Sequence, residues 1–455
     1  MKLKNGSRVG IVGGGPAGSM AGFFLMELAG RVGLELQVDI YEARDFSRYG
    51  PAGCNMCAGV VSESLVQTLA AEGINLPPLV VQRGIESYVL HTSNLEPVAI
   101  PTPADDLRIA TVYRGSGPME PMDAGNRWAS FDGFLLDLAR EKGVQVIHDR
   151  VMDLSWDEGL PCVHTRGKLS RTYDLIIGAV GVNSATLQSF ENLGIRFKPP
   201  LVNRGYLSEI HLGLDVAQRH LGSAMHIFLL DIPNLKFAAL IPKVEYVTVC
   251  LLGKDIDKVM VQRFMDSPEV KSCFPVGFEH KPVSGPCCLG EACHCTPRLN
   301  LGPAVNPYGD RVVLVGDSAI SRLYKDGIGA AYVTAKSCAV TAIFLGISTE
   351  AFQEHYWPVC HRIARDNHIG NLIFRITALY QHWRFLRRGM VNMVRGELSR
   401  PMEQRVMSRV LWDTFTGSAT YREIFLKSLQ PRFLWKLFLG TMRGLVDFSK
   451  RLSPS

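Results

Sequence analysis

The 455-residue chain lacks any uninterrupted run of the roughly 18–20 apolar residues that a membrane span requires. It has no internal repeat and no low-complexity segment, which excludes a solenoid or a disordered scaffold. No secretory leader is expected, because an ordered β-strand pattern begins by residue 8, and the expectation is a cytoplasmic protein. Its 11 cysteines are an odd number, so a disulfide framework is not expected and reduced thiols are. None of their spacings matches a standard ferredoxin or zinc ribbon, and no metal ligand set is assigned. Net charge is nearly absent from the first 350 residues, which carry 32 Lys and Arg against 36 Asp and Glu. Residues 351–455 carry 17 against 7, so the basic excess belongs to the tail. No nucleic-acid motif accompanies it. At 47% hydrophobic and 20% charged, the chain is a folded protein too long for one compact core.

What is present is concentrated near the amino end. Arg8 to Val12 reads as a buried strand, and Gly13-Gly14-Gly15-Pro16-Ala17-Gly18 fits G-x-G-x-x-G. Met20 to Leu28 reads as an apolar helix, and the strand Leu36 to Tyr41 ends in Glu42. The glycines differ in what they permit. Gly13 makes the turn, Gly15 lets backbone approach a pyrophosphate, and Gly18 lets helix and strand close. The helix N-terminus offers N–H groups to phosphate, and Glu42 stands where an acid accepts a ribose hydroxyl. Strand, glycine turn, helix and acid together point to dinucleotide binding.

Further along, Ser62 to Ala71 reads as a helix, and residues 79–115 as short strands. Phe131 to Ala139 has helical apolar spacing with Ser130 as N-cap. Tyr173 to Gly178 is a strand running into a glycine turn. Residues 200–290 are rich in short strands, with a helix from Asp257 to Met265. Arg311 to Val315 returns to a buried strand ending in Gly316-Asp317, and a helix spans Ile328 to Phe344. The expected fold class is α/β: a Rossmann-like domain from 1–80, 126–184 and 301–346, an antiparallel-sheet domain from 81–125 and 185–300, and a helical basic region over 347–455.

These features, in this order, resemble FAD-dependent oxidoreductases of the para-hydroxybenzoate hydroxylase class, and within it the geranylgeranyl reductases. The resemblance covers roughly residues 8–345. It rests on the fingerprint, on Arg127-Trp128-Ala129-Ser130-Phe131-Asp132, on the turn Gly178 to Ser184, and on Gly316-Asp317 followed by Gly327-Ile328. It implies FAD bound by Gly13, Gly15, Ala17, Gly18, Glu42, Arg44, Ala58, Arg127, Val151, Gly316, Asp317, Gly327 and Ile328. Asp317 is implied on the ribityl chain, and the helix after Gly327 is implied to face the flavin ring. Cys57-Ala58-Gly59 is similar to the reductases' cysteine-glycine loop, which implies Cys57 as the catalytic-site thiol. Phe237 to Lys243 keeps the spacing of Y-x-W-x-F-P-K and implies Phe237, Ile241, Pro242 and Lys243 as substrate residues. Phe237 stands where the family has tyrosine, and Ala239 where it has tryptophan, which widens the expected pocket. Val180 stands where the hydroxylases have an aspartate.

The activity implied is saturation of carbon–carbon double bonds in a prenyl lipid, with hydride from the flavin and a proton to the second carbon. The antiparallel sheet is expected to roof the substrate pocket, and the electron donor is external, NADPH or a ferredoxin-like protein. Cys57 otherwise reads as a small buried hydrophobe. Lys325-Asp326 reads either as a holder of an anionic group or as a solvated loop pair. Cys287, Cys288, Cys293 and Cys295, with Cys54 and Cys57, leave open an electron-transfer subunit. A monooxygenase also stays open, but a halogenase would need an early catalytic lysine and a W-x-W-x-I-P motif, both missing. In the tail, Trp383 to Arg388 and Phe433 to Phe438 interleave rings and bases at helical spacing. This reads equally as peripheral contact with the inner membrane face or as a helical cap with wet basic faces.

Overall fold

The structure, a computed structural model, describes residues 1–103, 109–119, 129–278 and 292–452. Arg127, Cys287 and Cys288 lie outside the described residues. The chain divides into two compact units. The first comprises Met1–Cys57, Tyr113–Asn203 and Pro297–Asn367, and the second Ala58–Val112, Arg204–Thr296 and His368–Ser455.

The first unit is built on a six-stranded sheet in the order Tyr308–Gly309, Val312–Leu314, Leu175–Gly178, Ser7–Val12, Leu36–Tyr41, Gln145–Ile147. Every neighbouring pair is parallel except the edge pair Tyr308–Gly309 with Val312–Leu314. Val9, Ile11, Ile176, Ile177 and Val313 are fully buried, as strands covered on both faces must be. The helices Pro16–Arg31 and Gly327–Val340 pack against each other in this unit. From Ser7–Val12 the chain crosses first to Leu36–Tyr41 on one side and later to Leu175–Gly178 on the other. The C-terminal end of Ser7–Val12 is therefore the switch point where open α/β sheets bind ligands.

Hydropathy needs one correction. Gly327–Leu345 is long and apolar enough to cross a membrane, although no uninterrupted apolar run announces it. Of its most apolar 18-residue window 61% is buried inside the fold, so it serves as a core helix.

In the second unit a seven-stranded sheet runs in the order Ala292–Cys295, Tyr206–His211, Tyr246–Gly253, Leu235–Pro242, Ala224–Leu229, Ser87–Thr92, Leu95–Pro101. It is antiparallel except where Ala224–Leu229 runs beside Ser87–Thr92. Phe228, Leu240, Val249 and Leu251 build one core with Phe264 of the helix Lys258–Met265 and Val270 of Pro268–Lys271. The tail is helical. Arg384–Glu397 crosses Pro431–Leu452 closely enough that a Cβ on Gly389 would stand 3.0 Å from the Thr441 backbone. Buried Glu397 accepts from the N–H groups of Val406, Met407 and Ser408, capping the helix Val406–Thr416.

Candidate functional site

The fingerprint forms the turn that its glycines require. Gly13 has φ +103°, and a Cβ there would stand 2.5 Å from the Ala179 carbonyl oxygen. A Cβ on Gly18 would stand 1.8 Å from the Gly13 carbonyl oxygen, so helix Pro16–Arg31 seats directly on the turn. Gly15 is its N-cap, and Ala17 is buried in its first turn. The distant Gly-Asp pair closes on the same place: Gly316, at φ +64°, would put a Cβ 2.7 Å from the Ala17 methyl. Gly316 N–H is held by Thr334 Oγ1 at 2.9 Å, which fixes this turn to the second core helix.

Carboxylates line the turn. Glu42 accepts from Gly14 N–H and Arg44 N–H, each at 2.8 Å. Burial pushes its pKa up, against those two hydrogen bonds. Asp317 is half-buried, and burial likewise raises its pKa while Ser321 and Arg114 oppose the rise. A Cβ on Gly327 would meet the Asp317 carboxylate at 3.8 Å, so that acid lies at the start of helix Gly327–Val340, whose first turn holds Ile328. Asp326 caps this helix through Gly329 N–H at 3.1 Å and pairs with Arg322 at 2.6 Å. Lys325 and Asp326 are both largely buried, which removes the solvated-loop reading.

A buried polar network that the spacing did not reveal sits alongside. Arg114 pairs with fully buried Asp132 through two nitrogens, Nη2–Oδ2 being 2.9 Å. Asn55 Nδ2 donates to Asp132 Oδ2 at 2.5 Å, and the Arg44 guanidinium bonds Asn55 Oδ1. Burial opposes the charge on Arg114, but Asp132 and Cys57 outweigh it and raise its pKa. Nothing near residue 114 follows a motif. The Phe131-Asp132 pair was the available signal, because an acid at a buried helix start needs a cation.

This geometry can be set beside known proteins. No protein-family model matches the chain. It is similar to geranylgeranyl diphosphate reductase of Synechocystis sp., 24% identical over 74% of this chain and 75% of that one. A geranylgeranyl bacteriochlorophyll reductase-like protein of Thermoplasma acidophilum superposes with TM-score 0.64 at 15% identity, over 95% of this chain and 98% of the other. A halogenase mutant in complex with FAD superposes with TM-score 0.58 at 12% identity, over 94% and 87%. The chain is similar to geranylgeranyl reductases along most of its length and shares the fold of FAD-dependent oxidoreductases.

The residues of this chain fit FAD at the switch point. Gly15 leaves an opening that a Cβ would begin to fill, at 3.2 Å from Asn55 Nδ2, and Glu42 holds the N–H of the adjacent Gly14. Gly13, Gly15, Ala17, Gly18, Glu42, Arg44, Gly316, Asp317, Gly327 and Ile328 are all in the first unit, as is Cys57. Val151 is buried in a core cluster with Val12 and Tyr41. Ala58 opens the second unit.

In the second unit, Phe237 stacks parallel to Phe374 at 6.0 Å. Ile241 is buried, and the Pro242 carbonyl accepts from Thr111 Oγ1 at 3.2 Å. Lys243 is only 1% exposed and donates to Glu209 Oε1 at 2.6 Å, while Thr248 Oγ1 also donates to Glu209. Cys293 and Cys295 lie on one strand with His294, and His294 stacks on Tyr206. Among the described residues, the three-residue metal-type grouping is instead His91, His226 and Cys273.

Proposed function

We propose that this oxidoreductase saturates isoprenoid carbon–carbon double bonds of a prenyl lipid. The observation that carries the reading is that the Gly13 turn and the Gly316-Asp317 pair close on one place, in the unit that also holds Cys57. Similarity to a geranylgeranyl diphosphate reductase supports the substrate class. FAD, reduced by an external donor such as NADPH or a ferredoxin-like protein, supplies hydride for one alkene carbon. The other carbon needs a proton, for which the Cys57 thiol is the proposed donor. Asp132 holds the Arg114 guanidinium in place in the same unit. Glu42 would accept from the ribose hydroxyls, Asp317 from the ribityl chain, and the N–H groups of Gly327 and Ile328 would face the pyrimidine edge of the ring. Phe237 stacked on Phe374 offers an apolar pair of rings for a prenyl chain.

The tail supports peripheral attachment to an anionic lipid surface. Trp435 is 63% and Phe438 54% exposed, with Leu434, Leu439 and Met442 also exposed on the same helix beside Arg432 and Lys436. Rings that sit in the interface with bases outside them suit a cytoplasmic leaflet. Co-sedimentation with anionic vesicles, lost in a Trp435→Ser/Phe438→Ser double variant, is the expected result. Equal pelleting of the variant would reject it.

The decisive experiment reduces the FAD-loaded protein under nitrogen and incubates it with prenyl phosphates, quinones and isoprenoid ether lipids. Mass spectrometry should show gain of two hydrogens. No gain on any of these rejects the reading, and uptake of one oxygen atom under air would mark a monooxygenase instead.

A further inference from the structure

We infer that His91, His226 and Cys273 form a binding site for one soft transition-metal ion, Zn2+ or Cu+, inside the second unit. His91 lies on Ser87–Thr92 and His226 on Ala224–Leu229, and the parallel register pairs His91 with Phe228 and His226 with Val89. The two imidazoles are therefore diagonal neighbours on one face of the sheet. Cys273 follows the short helix Pro268–Lys271 and belongs to the core packed on that sheet. The three side chains come from segments far apart in sequence, and all are buried, at 3%, 8% and 3% exposure.

Their donor atoms converge. His91 Nε2 and His226 Nδ1 are 2.9 Å apart, and Cys273 Sγ lies 3.3 Å from the second and 3.8 Å from the first. Those three lengths leave a point about 2.0 Å from each donor atom, which is close to the roughly 2.0–2.3 Å of Zn–N and Zn–S bonds. Side-chain adjustments of a few tenths of an ångström complete the fit.

The surroundings match those of a ligand set. Phe228 stacks on His91 with centroids 4.5 Å apart, locking the ring plane. Thiolate and imidazole together select Zn2+ and Cu+ over the harder Mg2+ and Ca2+. Bound there, the ion would tie two strands to the segment after Pro268–Lys271, and its binding energy would add to the stability of the unit.

The test measures metal content of the full-length, FAD-loaded protein purified without a polyhistidine tag, by mass spectrometry of zinc and copper. About one ion per chain is expected. Cys273→Ser and His226→Gln should each lower the content at least 10-fold, with Cys295→Ser as a control at full content. Where those variants fail to fold, metal-stripped wild type is titrated with Zn2+ in air or Cu+ under nitrogen, and uptake with a rise in Tm is expected. Wild type that neither carries nor takes up either ion overturns the site. Equal content in the Cys273 or His226 variants overturns it too, because the ion would then sit elsewhere.

Discussion

At the Gly13 turn the first unit positions polar groups by backbone geometry, whereas the seven-stranded sheet of the second positions them with side chains drawn from distant segments. The turn needs a missing Cβ at Gly13, Gly18 and Gly316, since each would strike protein atoms within 2.7 Å. The sheet holds Lys243 on Glu209 and gathers His91, His226 and Cys273, and no local backbone rule demands any of these. The contrast separates two kinds of site. One depends on what must be absent at fixed spacing, the other on which buried donors happen to meet.

The Arg114–Asp132 pair offers the strongest test, because it puts a side-chain network inside the backbone-built unit. Asp132→Leu alone leaves Arg114 buried without its partner and should cost about 3–5 kcal/mol in urea unfolding. The double variant Arg114→Met/Asp132→Leu should recover much of that, because an apolar pair carries no desolvation cost. A double variant as unstable as the single would show that the charges themselves are needed.

Next in size is the thiol. Cys57→Ala should keep FAD content and slow double-bond reduction about 100-fold, equivalent to about 2.7 kcal/mol of barrier. Unchanged turnover would move the proton donor elsewhere. Gly18→Val should cost about 2 kcal/mol or more and yield colourless protein, because its side chain enters the Gly13 carbonyl. Retained yellow colour at full occupancy would break the backbone half of the comparison.

The smallest effect concerns pH. Burial raises the pKa of Glu42 in the folded, FAD-free protein above its unfolded value of about 4.3. The native state therefore binds that proton more tightly, so this contribution to stability is full below the unfolded value and is lost as pH rises through the folded one. Glu42→Gln should gain stability relative to wild type over that rise, read from urea midpoints across the acid range. Parallel curves for the two proteins would deny the shift.

Much of the first unit was legible in advance. The strands Ser7–Val12 and Leu36–Tyr41 and the Ser130 cap of Phe131–Glu141 fall within a residue or so of their patterns. Ser130 Oγ accepts from Gly133 N–H at 3.1 Å, as the cap requires. The helix after Gly316-Asp317 was also placed, though it starts at Gly327 and ends in a wider turn over Thr341–Leu345. In the second unit the strands could be read but not their partners. The parallel pairing of Ala224–Leu229 with Ser87–Thr92 joins segments more than a hundred residues apart, and alternation within a strand carries no information about its neighbour.

The sequence by itself determined the nucleotide turn, the α/β class and the basic helical tail, because each is written in short-range periodicity, glycine spacing or charge. Tertiary structure alone decided that Gly316 abuts Ala17, that Arg114 pairs with Asp132, and that His91, His226 and Cys273 share one point. Those depend on which distant surfaces bury each other. Burial rewards apolar area without regard to chain position, so a polar group's partner is settled only when the core closes around it.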